Sequence, residues 1–257
     1  MSESSVIHLT INGKQVEGRK SHTILDVCRN AGIFVPTLCY HPRLSIVGAC
    51  RMCMVEIEGN PKLQAACSTP AQDGMIIHTD TENLRHYRRL NLEFLFSERN
   101  HVCPFCESSG ACDLQRLGYE HQMESIRFEY LTPQLSTDFS SPYFGLDHNR
   151  CILCTRCVRV CDEIEGTHTL DLTNRGGKTV VGVDLHAEFR GSTCTMCGAC
   201  VQVCPTGALF DKMPSYRGRP EHLENHAAVC PGCGVGCGLI AQTRYGKVIR
   251  VIGDESC

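Results

Sequence analysis

The sequence predicts an α+β chain, assembled as a string of small domains that metal sites, rather than one apolar core, hold together. Three observations carry that expectation. Twenty cysteines among 257 residues are too many for an ordinary core, and they cluster as ligands do. Cys151, Cys154, Cys157 and Cys161, then Cys194, Cys197, Cys200 and Cys204, repeat one pattern, C-x2-C-x2-C-x3-C. The chain also opens with a hairpin signal followed by a helix.

Val6 to Ile11 is a β-type run, Asn12-Gly13 a two-residue hairpin signal and Lys14 to Glu17 the return. A helix from about Thr23 carries Ile24, Leu25, Val27, Cys28 and Ala31 on an apolar face and ends at Gly32. Cys28 reads as a core thiol, because cysteine packs as a small hydrophobe. Hairpin then helix opens a β-grasp domain over residues 1–80, and Cys39, Cys50, Cys53 and Cys67 fall inside it with gaps of ten, two and thirteen residues. Plant-type 2Fe-2S ferredoxins use C-x4-C-x2-C with a distant fourth cysteine, and this set is that idea with a longer first gap. Zinc is the alternative for four cysteines. Gly48 and Ala49 are small enough to let backbone amides approach the sulfurs.

Residues 81–97 read as a helix with Leu84, Tyr87, Leu90, Phe94 and Leu95 available for packing, and Arg85, Arg88 and Arg89 on a solvated face. His101, Cys103, Cys106 and Cys112 follow, within a helical His/Cys domain over residues 81–120. Three cysteines cannot complete a 4Fe-4S site, and an imidazole nitrogen supplies the fourth bond; neutral histidine in place of thiolate raises the potential, as in Rieske centres. A zinc site is again the alternative. Residues 121–142 are a polar connector.

Residues 143–212 hold the repeated run, which is that of two-cluster ferredoxins, where the fourth cysteine of each run ligates the other cluster. Cys151, Cys154, Cys157 and Cys204 then hold one 4Fe-4S cluster and Cys161, Cys194, Cys197 and Cys200 a second, close by. Zinc, usually held by separated pairs, fits closely spaced triplets poorly. A linker (213–226) leads to a small iron-sulfur segment (227–257) with Cys230, Cys233 and Cys237, a β-hairpin through Tyr245-Gly246-Lys247, and Cys257 at the end. Two readings stay open for this tail: a further 4Fe-4S cluster with Cys257 as displaced fourth ligand, or an incomplete, zinc-bound or docking fold. Its alternating glycines lack the strand-to-helix setting of a nucleotide loop and serve tight turns.

A formal net charge of -3 and the lack of a basic stripe speak against nucleic acid. No apolar run approaches the roughly 20 residues of a membrane span, and Met1 to Ser5 is short and polar, so a reducing cytoplasm is expected. No P-loop, dinucleotide fingerprint or nucleophile-base pair is present, so no catalytic residue is assigned. What remains is a relay for single electrons; a colourless zinc scaffold and an iron-sulfur sensor are the competing classes.

The segment CYHPRLSIVGACRMCMVEIEG, the His101 motif NHVCPFCESSGACDLQ and the dicluster runs YFGLDHNRCILCTRCVRVCDEIEGTHTLDL and STCTMCGACVQVCPTGAL together resemble the diaphorase small subunit of NAD-reducing nickel-iron hydrogenases. The likeness covers residues 6–212. NAD-dependent formate dehydrogenases and the large iron-sulfur subunit of complex I are similar too, although the one-residue spacer after His101 and the second complete run set this chain apart from complex I. The resemblance implies one 2Fe-2S and three 4Fe-4S clusters, a partner subunit carrying FMN and NAD, and hydrogenase small and large subunits on the other side. The tail, VCPGCGVGCGLIAQTRYGKVIRVIGDESC, is similar to the iron-sulfur domain that begins molybdopterin oxidoreductases, which makes a formate dehydrogenase catalytic subunit the alternative partner.

Overall fold

The computed structural model describes residues 6–254, so Cys257 lies outside the described residues. The fold is mixed α+β and divides into two compact units, residues 6–97 with 117–130 and residues 98–116 with 131–254.

In the first unit, β1 (Val6–Ile11) and β2 (Lys14–Arg19) pair antiparallel across Asn12-Gly13, whose φ values of 52° and 78° are those a tight hairpin turn requires. Ile7, Leu9 and Ile11 of β1 are buried while Val6 and His8 are exposed, the alternation of a strand with one face on a core. Helix α1 (Ile24–Asn30) starts at a capping box. The Asp26 amide donates to the Thr23 hydroxyl at 3.2 Å, and the Thr23 amide donates to the Asp26 carboxylate at 2.9 Å. Its buried face is Ile24, Leu25, Val27 and Cys28. A Cβ on Gly18 would stand 2.7 Å from Val27 Cγ2, so α1 can lie this close to β2 only over a glycine. Strands β3 (Met54–Ile57), β4 (Asn60–Ala65) and β5 (Ile76–His78) complete a five-stranded sheet in the order β2-β1-β5-β3-β4. The β1–β5 pair is parallel and the others are antiparallel.

Helix α2 (Glu82–Glu98) corrects two expectations. Its packing stripe is Leu84, Arg88, Leu92 and Phe96, spaced by four, whereas Phe94 is exposed and stacks its ring on Phe128 at 4.2 Å. Arg88 is 3% exposed rather than solvated. Its guanidinium donates to the carbonyls of Met52 (3.2 Å), Met54 (3.0 Å) and Thr79 (2.9 Å), three buried hydrogen bonds to backbone.

In chain order follow α3 (Asp113–Glu120), β6 (Thr137–Asp138), β7 (Phe144–Asp147), α4 (Arg156–Arg159), β8 (Leu170–Thr173), β9 (Val180–Val183), α5 (Ala199–Val203) and β10 (Leu209–Asp211). In the second unit, β10-β7-β6 form one small antiparallel sheet and β8-β9 a hairpin. The chain runs on from α4 through one wider turn, Val160–Ile164. The tail is a three-stranded antiparallel sheet of β11 (Glu224–Val229), β12 (Gly238–Arg244) and β13 (Lys247–Gly253), with Tyr245 and Gly246 at φ 51° and 71° in the expected hairpin turn. Strand β11 begins inside the stretch that composition marks as linker. All six of its residues are exposed, so no apolar alternation announced it. No helix among the described residues is long and apolar enough to cross a membrane.

Candidate iron-sulfur centres

Cys39, Cys53 and Cys67 are each 1% exposed and Cys50 is half-buried. The loop that carries them curls through left-handed Gly48 (φ 63°) and Arg51 (φ 54°). The Leu38 amide points at Cys50 Sγ (3.3 Å) and the Cys50 amide at Cys39 Sγ (3.5 Å). The sequence missed what holds this loop from outside. Arg88 bonds the Met52 carbonyl, and Asn91, one turn further along α2, donates to the Cys50 carbonyl at 2.7 Å. Their only sequence signal was an i, i+3 spacing that a solvated face shares. Hydrogen bonding to Cys39 and then burial push the Cys50 thiol far up; Cys67 and then burial do the same to Cys53, while the bond from Cys53 draws Cys67 down. The four sulfurs therefore sit as two hydrogen-bonded pairs. Cys28 is fully buried in the core, its thiol pushed up by burial to about 11.

The repeated runs fold alike. Leu153 and Met196, two residues into each run, are left-handed at φ 52° and 58°, and Thr155 and Gly198, four residues in, at φ 58° and 77°. In both loops the amide of the first of these points back at the leading sulfur: Leu153 to Cys151 and Met196 to Cys194, each at 3.4 Å. Each loop then enters a short helix, α4 or α5, and the two helices pack on each other. Cys151, Cys154, Cys157, Cys161 and Cys200 are 7–9% exposed, Cys194 and Cys204 are half-buried, and Cys197 is exposed. Burial raises Cys151 to about 11, Cys154 to about 12, and Cys157 and Cys200 well above the ordinary thiol value. His148, just ahead of the first run, fixes its approach, with Nδ1 2.8 Å from the Ser136 carbonyl and Nε2 2.7 Å from that of Val181.

His101, Cys103, Cys106 and Cys112 occupy one winding turn. The Cys103 amide bonds the His101 carbonyl (2.9 Å), and the Cys106 amide bonds the Cys103 carbonyl (3.1 Å). Cys112 stands at the N-terminus of α3, where the Gln115 amide points at its sulfur (3.5 Å) and burial lifts its thiol to about 11. Two features tie this turn to the dicluster segment within the same unit. The Asp113 amide bonds the Pro205 carbonyl at 2.9 Å, and the Cα of Gly207 lies so close to Cys106 that a Cβ would overlap its sulfur. Gly207 lies outside every cysteine pattern, and nothing in the sequence marked it as part of this site.

Cys230 and Cys237 close the connection between β11 and β12, with the Cys230 amide on the Cys237 carbonyl at 2.8 Å; Cys233 lies in the loop between them. Cys233 and Cys237 are exposed and Cys230 is half-buried.

These donor sets suit soft metal clusters: thiols grouped in tight loops, backbone amides aimed at sulfur, and mostly dry surroundings. None of the described cysteines is in a disulfide. Among the described residues, no three His, Cys, Asp or Glu side chains converge as they do around a single ion.

Known proteins share this arrangement segment by segment. Residues 4–82 match the 2Fe-2S iron-sulfur cluster binding domain, and residues 88–127 match the NADH-ubiquinone oxidoreductase-G iron-sulfur binding region. Residues 141–210 match the ferredoxin-like domain of NADH-quinone oxidoreductase subunit 3, and residues 223–256 the molybdopterin oxidoreductase Fe4S4 domain. A chain in the crystal structure of NAD+-reducing [NiFe]-hydrogenase in the H2-reduced state is 36% identical, with a TM-score of 0.75 over 82% of this chain and 90% of that one. The chain belongs to the iron-sulfur subunits of NAD-linked oxidoreductases. This family also includes the NADPH-Fe(3+) oxidoreductase subunit alpha of Geobacter sulfurreducens, 37% identical over 98% of this chain and 29% of the relative. The mitochondrial NADH-ubiquinone oxidoreductase 78 kDa subunit of Candida albicans is 32% identical over 96% of this chain and 34% of the relative. The chain thus spans about a third of the length of these two family members.

Proposed function

We propose that the chain relays single electrons between a subunit that binds FMN and NAD(H) and a nickel-iron hydrogenase module. The observation that carries this is the likeness to the hydrogenase chain, 36% identical and extending over nine-tenths of that chain. In this reading Cys39, Cys50, Cys53 and Cys67 hold a 2Fe-2S cluster in a β-grasp domain. His101, Cys103, Cys106 and Cys112 hold one 4Fe-4S cluster; Cys151, Cys154, Cys157 and Cys204, and Cys161, Cys194, Cys197 and Cys200, hold two more in a two-cluster ferredoxin-like domain. Such clusters accept and pass one electron at a time, whereas a nicotinamide gives two together as hydride, so a flavin on the partner divides the pair. The chain's own residues hold the sites rigid, keep water from most of the sulfurs and aim amides at them, which sets the potentials. A reducing cytoplasm suits a chain with so many free thiols.

The match of residues 223–256 to the molybdopterin oxidoreductase Fe4S4 domain, with Cys230, Cys233 and Cys237 in one loop, favours a second reading, the same relay serving a formate dehydrogenase catalytic subunit. Purifying the native complex and assaying iron, nickel, molybdenum, tungsten, zinc and flavin separates the two. Nickel, iron and FMN together are expected for the hydrogenase reading; molybdenum or tungsten without nickel selects the second. Zinc in place of iron overturns both.

A further inference from the structure

Two buried guanidinium groups of the second unit have donors to spare, and one of them, that of Arg156, lies within the first cysteine run. Arg99 is 1% exposed; its Nη2 donates to the Thr179 carbonyl at 2.9 Å, and Glu98 stands 3.9 Å away. Its Nε and Nη1 are buried and meet no acceptor. Arg156, between Cys154 and Cys157, is 8% exposed. Its Nη1 reaches the Val203 carbonyl at 3.4 Å and Asp113 at 3.5 Å, while its Nε is likewise buried without an acceptor.

A dry charged donor with no partner is among the costliest groups a fold can contain, so these three nitrogens call for an anion. The cysteine pattern supplies one at this place, a cluster core bound to four thiolates. Electrostatics point the same way. The Arg99 guanidinium is close enough to Cys151, and that of Arg156 to Cys154, for its charge to be felt at the sulfur.

We infer that Arg99, through Nε and Nη1, and Arg156, through Nε, donate to the sulfurs of the cluster held by Cys151, Cys154, Cys157 and Cys204 and raise its reduction potential. This rests on the cluster reading above. Reduction adds negative charge to a site that burial alone makes hostile to it, and fixed cations with free donors oppose that penalty. The twin loop is set otherwise. Beside Cys194 the Thr193 amide and hydroxyl hold the Asp184 carboxylate at 2.6 and 2.8 Å. Two loops of the same backbone shape thus have different charged neighbours.

The test is an EPR-monitored redox titration of the iron-loaded chain, wild type against Arg99→Gln, Arg156→Gln and Arg99→Lys. Each glutamine variant is expected to keep its iron and to lower one cluster's midpoint by at least 59 mV, a tenfold change for one electron. Arg99→Lys restores most of the loss at its site. Full iron with unmoved midpoints overturns the inference. A measurement on the wild type covers variants that shed iron: with guanidino-15N arginine incorporated, pulsed EPR of the reduced protein is expected to show a weak 15N coupling on a 4Fe-4S signal. Clusters without that coupling overturn the inference alone; zinc without any cluster signal overturns the reading beneath it.

Discussion

Gly207 follows the second cysteine run by three residues, yet the atom it accommodates is the sulfur of Cys106 in a different set. A methyl group there has nowhere to go, because the neighbour is the sulfur of a short side chain on a tight turn rather than the end of a long flexible one. Gly207→Ala is therefore expected to lower iron by up to the content of the His101 cluster while the 2Fe-2S signal stays intact, read as iron per chain alongside EPR. Unchanged iron would show that the turn can move aside. The spacing of His101, Cys103, Cys106 and Cys112 points to a ligand set, but nothing local points to this glycine, since its constraint comes from a residue about a hundred positions earlier. Cys28 is the opposite case: its place on the α1 stripe marked it as a core thiol, and its surroundings agree.

At the scale of elements, α1 and α2 depend on polar groups for their placement. The Asp26 carboxyl is pushed up by burial, but bonds from the Thr23 amide and hydroxyl and from Tyr40 outweigh this and leave it lowered. A carboxyl lowered by folding stabilises the native state above its unfolded value and loses that contribution as pH falls through the folded one. Asp26→Asn is expected to cost about 1 kcal/mol at neutral pH through the broken capping box. It should also flatten the acid limb of stability below about pH 4; chemical denaturation at pH 7 and pH 3 measures both. In α2, Arg88→Met leaves three buried carbonyls without their donor and is expected to cost about 2–4 kcal/mol. The 2Fe-2S site should bleach first on heating, ahead of the other centres. A variant that melts as the wild type does, with the same order of bleaching, would contradict that role. The sequence placed α2 within a residue of its observed start and end and put Leu84 and Tyr87 on its inward face, but it missed Leu92 and Phe96 and gave Arg88 to water. An arginine that satisfies carbonyls from distant strands has the local signature of one that faces water.

Across the whole molecule, loading with metal is linked to protons. Burial holds the thiols of Cys112, Cys151 and Cys154 at about 11 to 12, so at neutral pH each enters the metal-free protein protonated and must give up its proton to ligate. Reconstitution with iron and sulfide is therefore expected to weaken steadily as pH falls from 8 to 6, scored as iron bound per chain. A flat profile would mean the thiols are already ionised.

That the chain carries successive iron-sulfur segments was legible from the cysteine spacing, because a cluster needs several thiolates from one tight loop and that need is local. So were the opening hairpin and both N-terminal helices, whose signals lie in a turn dipeptide, a cap and a period of 3.6 residues. Tertiary structure alone placed Arg88 and Asn91 behind the first cysteine loop, brought Gly207 against Cys106, buried Arg99 and Arg156 with donors to spare, and added β11 to the tail sheet. Each of these joins residues distant in the chain through a carbonyl, a sulfur or a neighbouring strand, and the demand one segment places on another leaves no periodicity in either.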